Sequence, residues 1–526
     1  MEPLLSAIMS DLLGRALSVL IQRYRASKAE ETEHKLQRLR RVLLRIDATV
    51  DEAEGRHITN QAMLQQLQML RKGMYGGHYV LDTIRYRGHG EVSGGRDVVL
   101  SRLSSAKRLL SFPVSSKENL QSTVLDAENL KNLEKMLDGL ETLMGDMVEF
   151  TVFLEGYPRI PRQPYSEYLV LDKVMFGRQM EKEAVIDFLL RPEAVGDGNP
   201  GVLPIVGEAW IGKSTLVEHV CLDERVRGHF SSIVFFGGDD LGAENMAALG
   251  RSGVTKHQDL TAAACGRSLL VIELARDMEM EEDTWWNLYC SAARSMGNGG
   301  KIIITSRSEK IAALGTAPAL RLKFLPQEAY WYFFKILAFG STNPDDHPDL
   351  ASLAMEIAAL LNDGTFTGAN IVGSLMRANL NVQFWRRVLQ CLGDYTRKYL
   401  LTYGKHPKDL LDNGHPLCAW SVARSRHVVV IYNRYQEHTT EQGVPELTAH
   451  DIITGRAPHQ GKFRVVGWRS SIPPYNTYMF TCASQTAGCS TVRKKRPCSG
   501  SLIQRVIPFS CSIVSVFVTG NKINLY

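Results

Sequence analysis

The hydrophobic positions of the first 155 residues recur every three or four places, the spacing that gathers them on one face of an α-helix. Leu5, Ile8, Leu12, Ala16 and Leu20 form one stripe, and Leu36, Leu39, Leu43, Ile46 and Val50 a second. Leu67, Leu70, Met74 and Leu81 form a third. Leu130, Leu133, Leu137 and Leu140 form a fourth, extended by Leu143 or Met144, Met147 and Phe150. Charged residues fill the other faces, as across 28–41. Four amphipathic helices of this kind predict a bundle. An extended coiled coil is the other arrangement that heptad-like spacing allows. A glycine-rich patch at 88–95 separates the third stripe from the fourth.

Beyond residue 155 the rhythm changes. Residues 156–168 carry Pro158, Pro161 and Pro164 and read as a linker. From 169 to 325 short apolar runs alternate with helical stretches, at 203–206, 233–236, 269–272, 301–305 and 320–324. That alternation predicts a parallel sheet with helices on both faces. Pro204 is discordant inside the first run, because a ladder donor is lost there. Residues 326–402 turn helical again, most strongly over 330–339 and 350–361. After 403 the runs 428–432, 462–468 and 478–482 read as strands between Pro- and Gly-containing turns. No internal repeat stands out, and no leucine-rich pattern.

The chemistry concentrates after the first of these strands. Residues 207–214 read Gly-Glu-Ala-Trp-Ile-Gly-Lys-Ser and fit G-x-x-x-x-G-K-[ST], the phosphate-loop pattern. A loop with little side-chain bulk lets successive backbone N–H groups curl around phosphate oxygens. The helix that follows aims its positive end at the same anion. In that pattern Gly207 and Gly212 shape the loop, Lys213 reaches the β- and γ-phosphates, and the Ser214 hydroxyl ligates Mg²⁺, with Thr215 next to it. The expected cofactor is ADP or ATP with Mg. The fold class is thus multidomain α and α/β: an N-terminal four-helix bundle over 1–155, the 156–168 linker, a P-loop NTPase-type parallel-sheet domain over 169–325, a helical segment over 326–402 and a small β-containing region over 403–526.

Composition alters this picture little. The chain has 526 residues, 44% hydrophobic and 22% charged, as in soluble globular proteins. A formal charge of +5 is small for that length and gives no reason to expect nucleic acid. Nine scattered cysteines without a C-x-x-C pair argue against zinc and for reduced thiols in a cytoplasmic protein. Glu2 and Asp11 do not suit a signal peptide, and no apolar run is long enough to span a bilayer. The basic cluster at 493–496 reads either as a solvated loop or as a nuclear-localisation or anionic-surface patch. No Ser/His/Asp or Cys/His set stands out as a nucleophile system.

Several motifs fall in an order that resembles the plant nucleotide-binding (NB-ARC) disease-resistance proteins with an N-terminal coiled-coil-type helical domain. Residues 172–178 (Asp-Lys-Val-Met-Phe-Gly-Arg), followed by Glu181, look like the opening of the family's nucleotide-binding domain. The loop at 207–215 looks like its phosphate loop, and 267–273, ending in Glu273, takes the place of the Walker B strand. Residues 300–307, ending in Arg307, look like the sensor segment, and 325–339 like the block that follows it. The resemblance covers roughly residues 1–400. It implies nucleotide contacts from Gly177, Arg178 and Arg307, and a second Mg²⁺ contact from Glu273. It also implies a switch in plant innate immunity, held inactive by ADP and released by ATP. Signalling would run through the N-terminal helices by self-association or by pairing with another immune receptor. A cytoplasmic setting is expected, with a peripheral membrane or nuclear pool left open.

Departures from the family pattern temper these expectations. Leu274 stands where the family has a second acidic residue, so weak or absent hydrolysis is expected. Glu208, Ala209 and Trp210 replace small loop residues, which leaves a decayed loop as a second reading. The stretch 237–266 is shorter than usual, and 364–373 lacks the adenine-side proline. Ala449, His450 and Asp451 imitate a family motif but read as a short helix. His78 and Asp82 stand where the family's acidic helical motif lies, with most of its charge gone, so its usual contact with the nucleotide-binding domain is expected to be weak. The family's leucine-rich region is not in this sequence, and the tail after 496 resembles nothing placeable. A truncated, weakly hydrolysing or non-hydrolysing switch is one expectation; a nucleotide-independent scaffold or regulator of other receptors is the alternative.

Overall fold

A computed structural model describes residues 2–86, 127–159, 176–192, 199–237, 254–258, 266–274, 282–296, 299–361, 366–423, 427–438, 447–458, 461–469 and 476–486. The glycine-rich patch at 88–95, most of the 156–168 linker, the 493–496 cluster and the tail lie outside these residues. The chain divides into two compact units, Met1–Val382 with Ser470–Pro474, and Gln383–Arg469 with Tyr475–Tyr526.

The first unit opens with four helices: α1 (Glu2–Glu54), α2 (Gln61–Tyr86), α3 (Ala127–Asp146) and α4 (Val148–Leu154). The apolar stripes converge as expected. Leu39, Leu43, Ile46 and Val50 of α1, Leu67, Leu70 and Met74 of α2, and Leu133, Leu137 and Leu140 of α3 share one buried core. The division into helices differs from the expectation. The first two stripes lie on one continuous helix, because nothing between Leu20 and Leu36 is a glycine or proline that would stop it. The side chains of the first stripe lie outside the described residues. The fourth helix is instead the short α4, carrying Phe150 into the core. At Gly77 a Cβ would sit 2.5 Å from Leu43 Cδ2, so α1 and α2 pack closer there than any larger residue permits. Arg38 holds Glu141 through two 2.6 Å bonds across α1 and α3.

Next comes a six-stranded sheet: β1 (Gly201–Val206), β2 (Ser232–Gly237), β3 (Val254–Gln258), β4 (Ser268–Glu273), β5 (Lys301–Ser306) and β6 (Leu320–Arg321), ordered β3-β2-β4-β5-β1-β6. All pairs are parallel except β2 with β3. Alternate strand residues face opposite sides, as the pleat requires. Leu203, Ile205, Leu269, Val271 and Ile303 pack against helices Gln179–Leu190 and Lys213–Cys221. Val202, Val206, Leu270, Ile272, Ile302 and Ile304 pack with Trp285, Leu288 and Ala292 of helix Glu282–Ser295. The edge strand β3, inside the short 237–266 stretch, was not legible in the sequence. The last expected strand shrinks to two residues.

Pro204 is tolerated for a local reason. Val202 and Val206 direct their backbone groups toward Thr316 and Leu322, on the β6 side. Alternation puts the Pro204 nitrogen on that same side. There β6 pairing begins only at Ile205, so the β1–β5 ladder keeps all its donors.

Helices Gln327–Phe339, Pro348–Leu361 and Phe366–Arg377 complete the first unit, so the 364–373 region is largely helical. Asp82 meets the helical segment that follows the nucleotide-binding domain, rather than that domain itself. Asp82 is 4% exposed and accepts hydrogen bonds from Trp331 Nε1 at 2.9 Å and Lys335 Nζ at 2.7 Å. Tyr79 accepts from Gln327 at 3.0 Å, Tyr86 donates to Asp345 at 2.6 Å, and Arg85 pairs with the same carboxylate. One buried carboxylate with two donors carries that contact.

The second unit contains helix Val382–Tyr403 and a five-stranded sheet of β7 (Leu417–Cys418), β8 (His427–His438), β9 (Leu447–Thr448), β10 (Gly461–Arg469) and β11 (Asn476–Thr486). The order is β7-β8-β11-β10-β9, with long antiparallel pairing of β8, β11 and β10. Residues 449–451 open the short helix Ala449–Thr454, as expected. Thr448 and Asp451 cap it reciprocally, through Asp451 N to Thr448 Oγ1 at 3.2 Å and Thr448 N to Asp451 Oδ2 at 3.0 Å.

Candidate functional site

The three central parallel strands end side by side, and the chemistry-bearing residues sit at those ends. Register pairs Glu273 of β4 with Thr305 of β5, and Ser306 of β5 with Val206 of β1. Gly207 therefore leaves β1 next to Arg307 leaving β5, with Glu273 one strand further on. Carboxyl ends of strands in an open α/β sheet are where such folds take ligands.

The loop itself is closed by its own lysine. Lys213 Nζ donates to Gly207 O at 2.7 Å and Glu208 O at 2.8 Å. Gly212 adopts φ +93° as the cap of helix Lys213–Cys221, a conformation open to glycine. At Gly207 a Cβ would meet Leu322 O at 3.1 Å and Ile211 Cγ2 at 3.2 Å, so a side chain in the turn out of β1 would require its neighbours to give by a few tenths of an ångström. Ser214 and Thr215 occupy the first turn of the helix.

Burial pushes the Lys213 ammonium down to about 8; Arg307 pushes the same way, while Glu273 and Glu208 oppose it. Arg307, Glu273 and Glu208 thus each act on Lys213. The fold brings together the residues from three distant motifs.

Gly177 and Arg178 stand on the other side of the loop. Gly177 has φ +70°. Arg178 is 3% exposed and donates to Lys323 O at 2.6 Å, Ile211 O at 3.5 Å and Glu181 Oε1 at 3.1 Å. Its guanidinium ties the loop to the segment after β6. A second brace was invisible in sequence: Arg225 grips Glu183 at 2.8 and 2.9 Å and Asp223 at 2.9 Å. It anchors the helix Gln179–Leu190 to the turn after the loop's own helix. Nothing in the spacing of Glu183, Asp223 and Arg225 signals that pairing.

Trp210 has φ +61°, the one non-glycine residue with positive φ among those described. The left-handed conformation costs a bulky residue roughly 1–2 kcal/mol. Trp210→Gly, after the entropy that glycine adds to the unfolded chain, is expected to stabilise the first unit by about 1 kcal/mol. Trp210→Ala keeps the strain and is expected to gain nothing. Urea titration of both variants checks this; equal stability of the two removes backbone strain as the cause.

Leu274, next to Glu273, is 7% exposed and packs in the Trp285 core, while its N–H donates to Thr305 O at 3.0 Å. No acidic pair stands at the end of β4. No helix among the described residues is long and apolar enough to cross a membrane, and no metal-binding cluster of His, Cys, Asp or Glu occurs among them.

Comparison with known proteins gives the same direction. Residues 8–109 match the family model of the Rx N-terminal domain. The putative disease resistance RPP13-like protein 1 of Arabidopsis thaliana is 25% identical over 386 residues, covering 69% of this chain and 35% of the relative. Disease resistance protein RGA2 of Solanum bulbocastanum is 22% identical over 380 residues, covering 68% and 36%. The chain thus spans about a third of the length of these relatives. Among solved structures, a point mutant of Thermotoga maritima RuvB aligns over 44% of this chain and 80% of its own, at 14% identity and a TM-score of 0.28. Domain III of the Thermotoga maritima replication initiation protein DnaA aligns over 47% and 93%, at 13% identity and 0.22. The P-loop fold is read from this chain's own strand order and loop geometry. The similarity is thus to plant disease-resistance proteins and, over the first helices, to the Rx N-terminal domain.

Proposed function

We propose that this chain is an adenine-nucleotide switch in plant innate immunity that binds ADP or ATP and hydrolyses weakly or not at all. The observation that supports it best is the lysine-closed loop at the end of β1, with Lys213 hydrogen-bonded to Gly207 O and Glu208 O. The glycine positions fit a phosphate, since a Cβ at Gly207 would crowd the turn and Gly212 supplies the left-handed cap. In this reading the loop from Gly207 to Gly212 supplies N–H donors, and Lys213 and Arg307 supply charge. Ser214 and Glu273 would hold Mg²⁺, with Thr215 beside them, and the ion would supply positive charge against the phosphates. Gly177 and Arg178 set the wall beside the loop. Bound nucleotide acts by contributing contacts that differ between two arrangements of the chain. The N-terminal helices pass that difference on, by self-association or by pairing with another receptor, in the cytoplasm.

Lys213→Ala is expected to weaken ADP binding more than tenfold, measured by calorimetry with Mg²⁺ present. Equal, poor binding by wild type and variant would falsify the switch. The second reading, a nucleotide-independent scaffold, is favoured by Trp210 and Glu208 in the loop, and it is what that result leaves.

A further inference from the structure

We propose that Tyr75 and Arg71 of the N-terminal helix α2 are positioning residues of the nucleotide site, holding the wall formed by Gly177 and Arg178. This rests on the nucleotide reading above and adds to it two residues from outside the sheet domain. Residues 176–180 make two kinds of contact. Gly177 and Arg178 turn toward the loop and the segment after β6. A Cβ on Gly177 would lie 2.9 Å from Leu325 Cδ2. Arg178 donates to Lys323 O at 2.6 Å and to Ile211 O of the loop at 3.5 Å. Phe176, Gln179 and Met180 turn toward the N-terminal helices instead. The Phe176 ring lies 5.5 Å from that of Tyr75 and 5.1 Å from that of Phe333. Gln179 accepts a hydrogen bond from Arg71, whose Nε also donates to Glu54 at 2.9 Å. Met180 packs against the bundle core.

A second tie lies further along, where Gln61 donates to Asp187 at 2.6 Å. Helix Gln179–Leu190 is thus held by α2 near both of its ends. On its other side Val185, Ile186 and Leu189 share a core with Leu216, Val217 and Val220 of the loop's own helix. One planar peptide joins Phe176 to Gly177 and another joins Arg178 to Gln179, so the two sets of contacts do not move independently. Close-packed side chains pass such a shift on rather than absorb it. Linkage gives the converse: a nucleotide that fixes the wall also steadies α2.

The test measures Mg-ADP binding to the full chain by calorimetry, and hydrogen exchange of residues 71–79 with and without Mg-ADP. Wild type, Tyr75→Ala, Tyr75→Phe, Arg71→Gln, Leu133→Ala and Lys213→Ala are compared. Tyr75→Ala and Arg71→Gln are each expected to weaken Mg-ADP about fivefold, within the span of substitutions along a packed network. Tyr75→Phe keeps the ring contact and is expected to bind as wild type does. Leu133, buried in α3, is the control: its truncation loosens the bundle core without removing any of these contacts, and wild-type affinity is expected. Mg-ADP is expected to slow exchange at 71–79 in wild type and not in Tyr75→Ala. Wild-type affinity in Tyr75→Ala and Arg71→Gln, with Lys213→Ala defective, overturns the role of α2 and leaves the nucleotide site standing. An equal loss in Leu133→Ala overturns it too, because bundle stability is then the cause. If Tyr75→Ala does not fold, Arg71→Gln and the wild-type exchange decide. Absence of binding by wild type overturns the nucleotide reading and this role together.

Discussion

Asp82→Ala is expected to destabilise the first unit by about 3–5 kcal/mol, the cost of stripping one partner from a buried ion pair. Asp82 is 4% exposed, and its Oδ2 receives both the Trp331 indole N–H and the Lys335 ammonium. The Lys335 side chain is itself 16% exposed. Without the carboxylate, its charge stays in the low-dielectric contact with Asp345 as its remaining acidic neighbour. The rings of Trp331 and Tyr332, at 5.9 and 5.6 Å, return only part of the loss. Asp82→Asn keeps an acceptor for Trp331 and is expected to lose less. Asp82→Leu combined with Lys335→Met removes both charges and is expected to recover most of the stability, since a buried pair is often no better than an apolar one. Urea midpoints of the four proteins decide the matter. A single-variant loss within about 0.5 kcal/mol, the range of ordinary surface changes, would show that water reaches the pair and that the α2 contact rests on packing alone.

Leu274→Asp is expected to cost about 3 kcal/mol or more and to restore no hydrolysis. The side chain lies in a core with Ile272, Trp285 and Leu288, and the backbone is pinned to Thr305. A carboxylate there is buried without a donor, which is a severe class of substitution. It also points into the core rather than toward Lys213, so the acidic residue returns in name without reaching the phosphates. Leu274→Met conserves volume and is expected to cost less than about 1.5 kcal/mol. Denaturation together with phosphate release in Mg²⁺ measures both parts. A stable Leu274→Asp protein with turnover would mean that the end of β4 can rotate this side chain into the site.

Much of the site was legible because its residues are local. The Gly207–Ser214 spacing specifies a loop through neighbouring residues alone, whereas the bond from Lys213 back to Gly207 O is seen only in the structure. The strands were legible where each apolar run is buried on both faces, as in β1 and β5. Edge strand β3 was not: its Thr, Lys, His and Gln carry no apolar pattern, and only pairing with β2 defines it. Arg178 shows a different limit. Its motif was recognised, yet only the fold directs its donors to Lys323 O and Ile211 O.

By itself the sequence determined the helical faces of the bundle, the alternation of strands and helices, and the phosphate loop, because each follows from the spacing of neighbouring residues along one element. Tertiary structure alone decided which stripes share a helix, that Asp82 meets Lys335 across 253 positions of chain, and that Leu274 belongs to the core. Those outcomes depend on how elements pack and on which groups burial forces to find partners, and periodicity records neither.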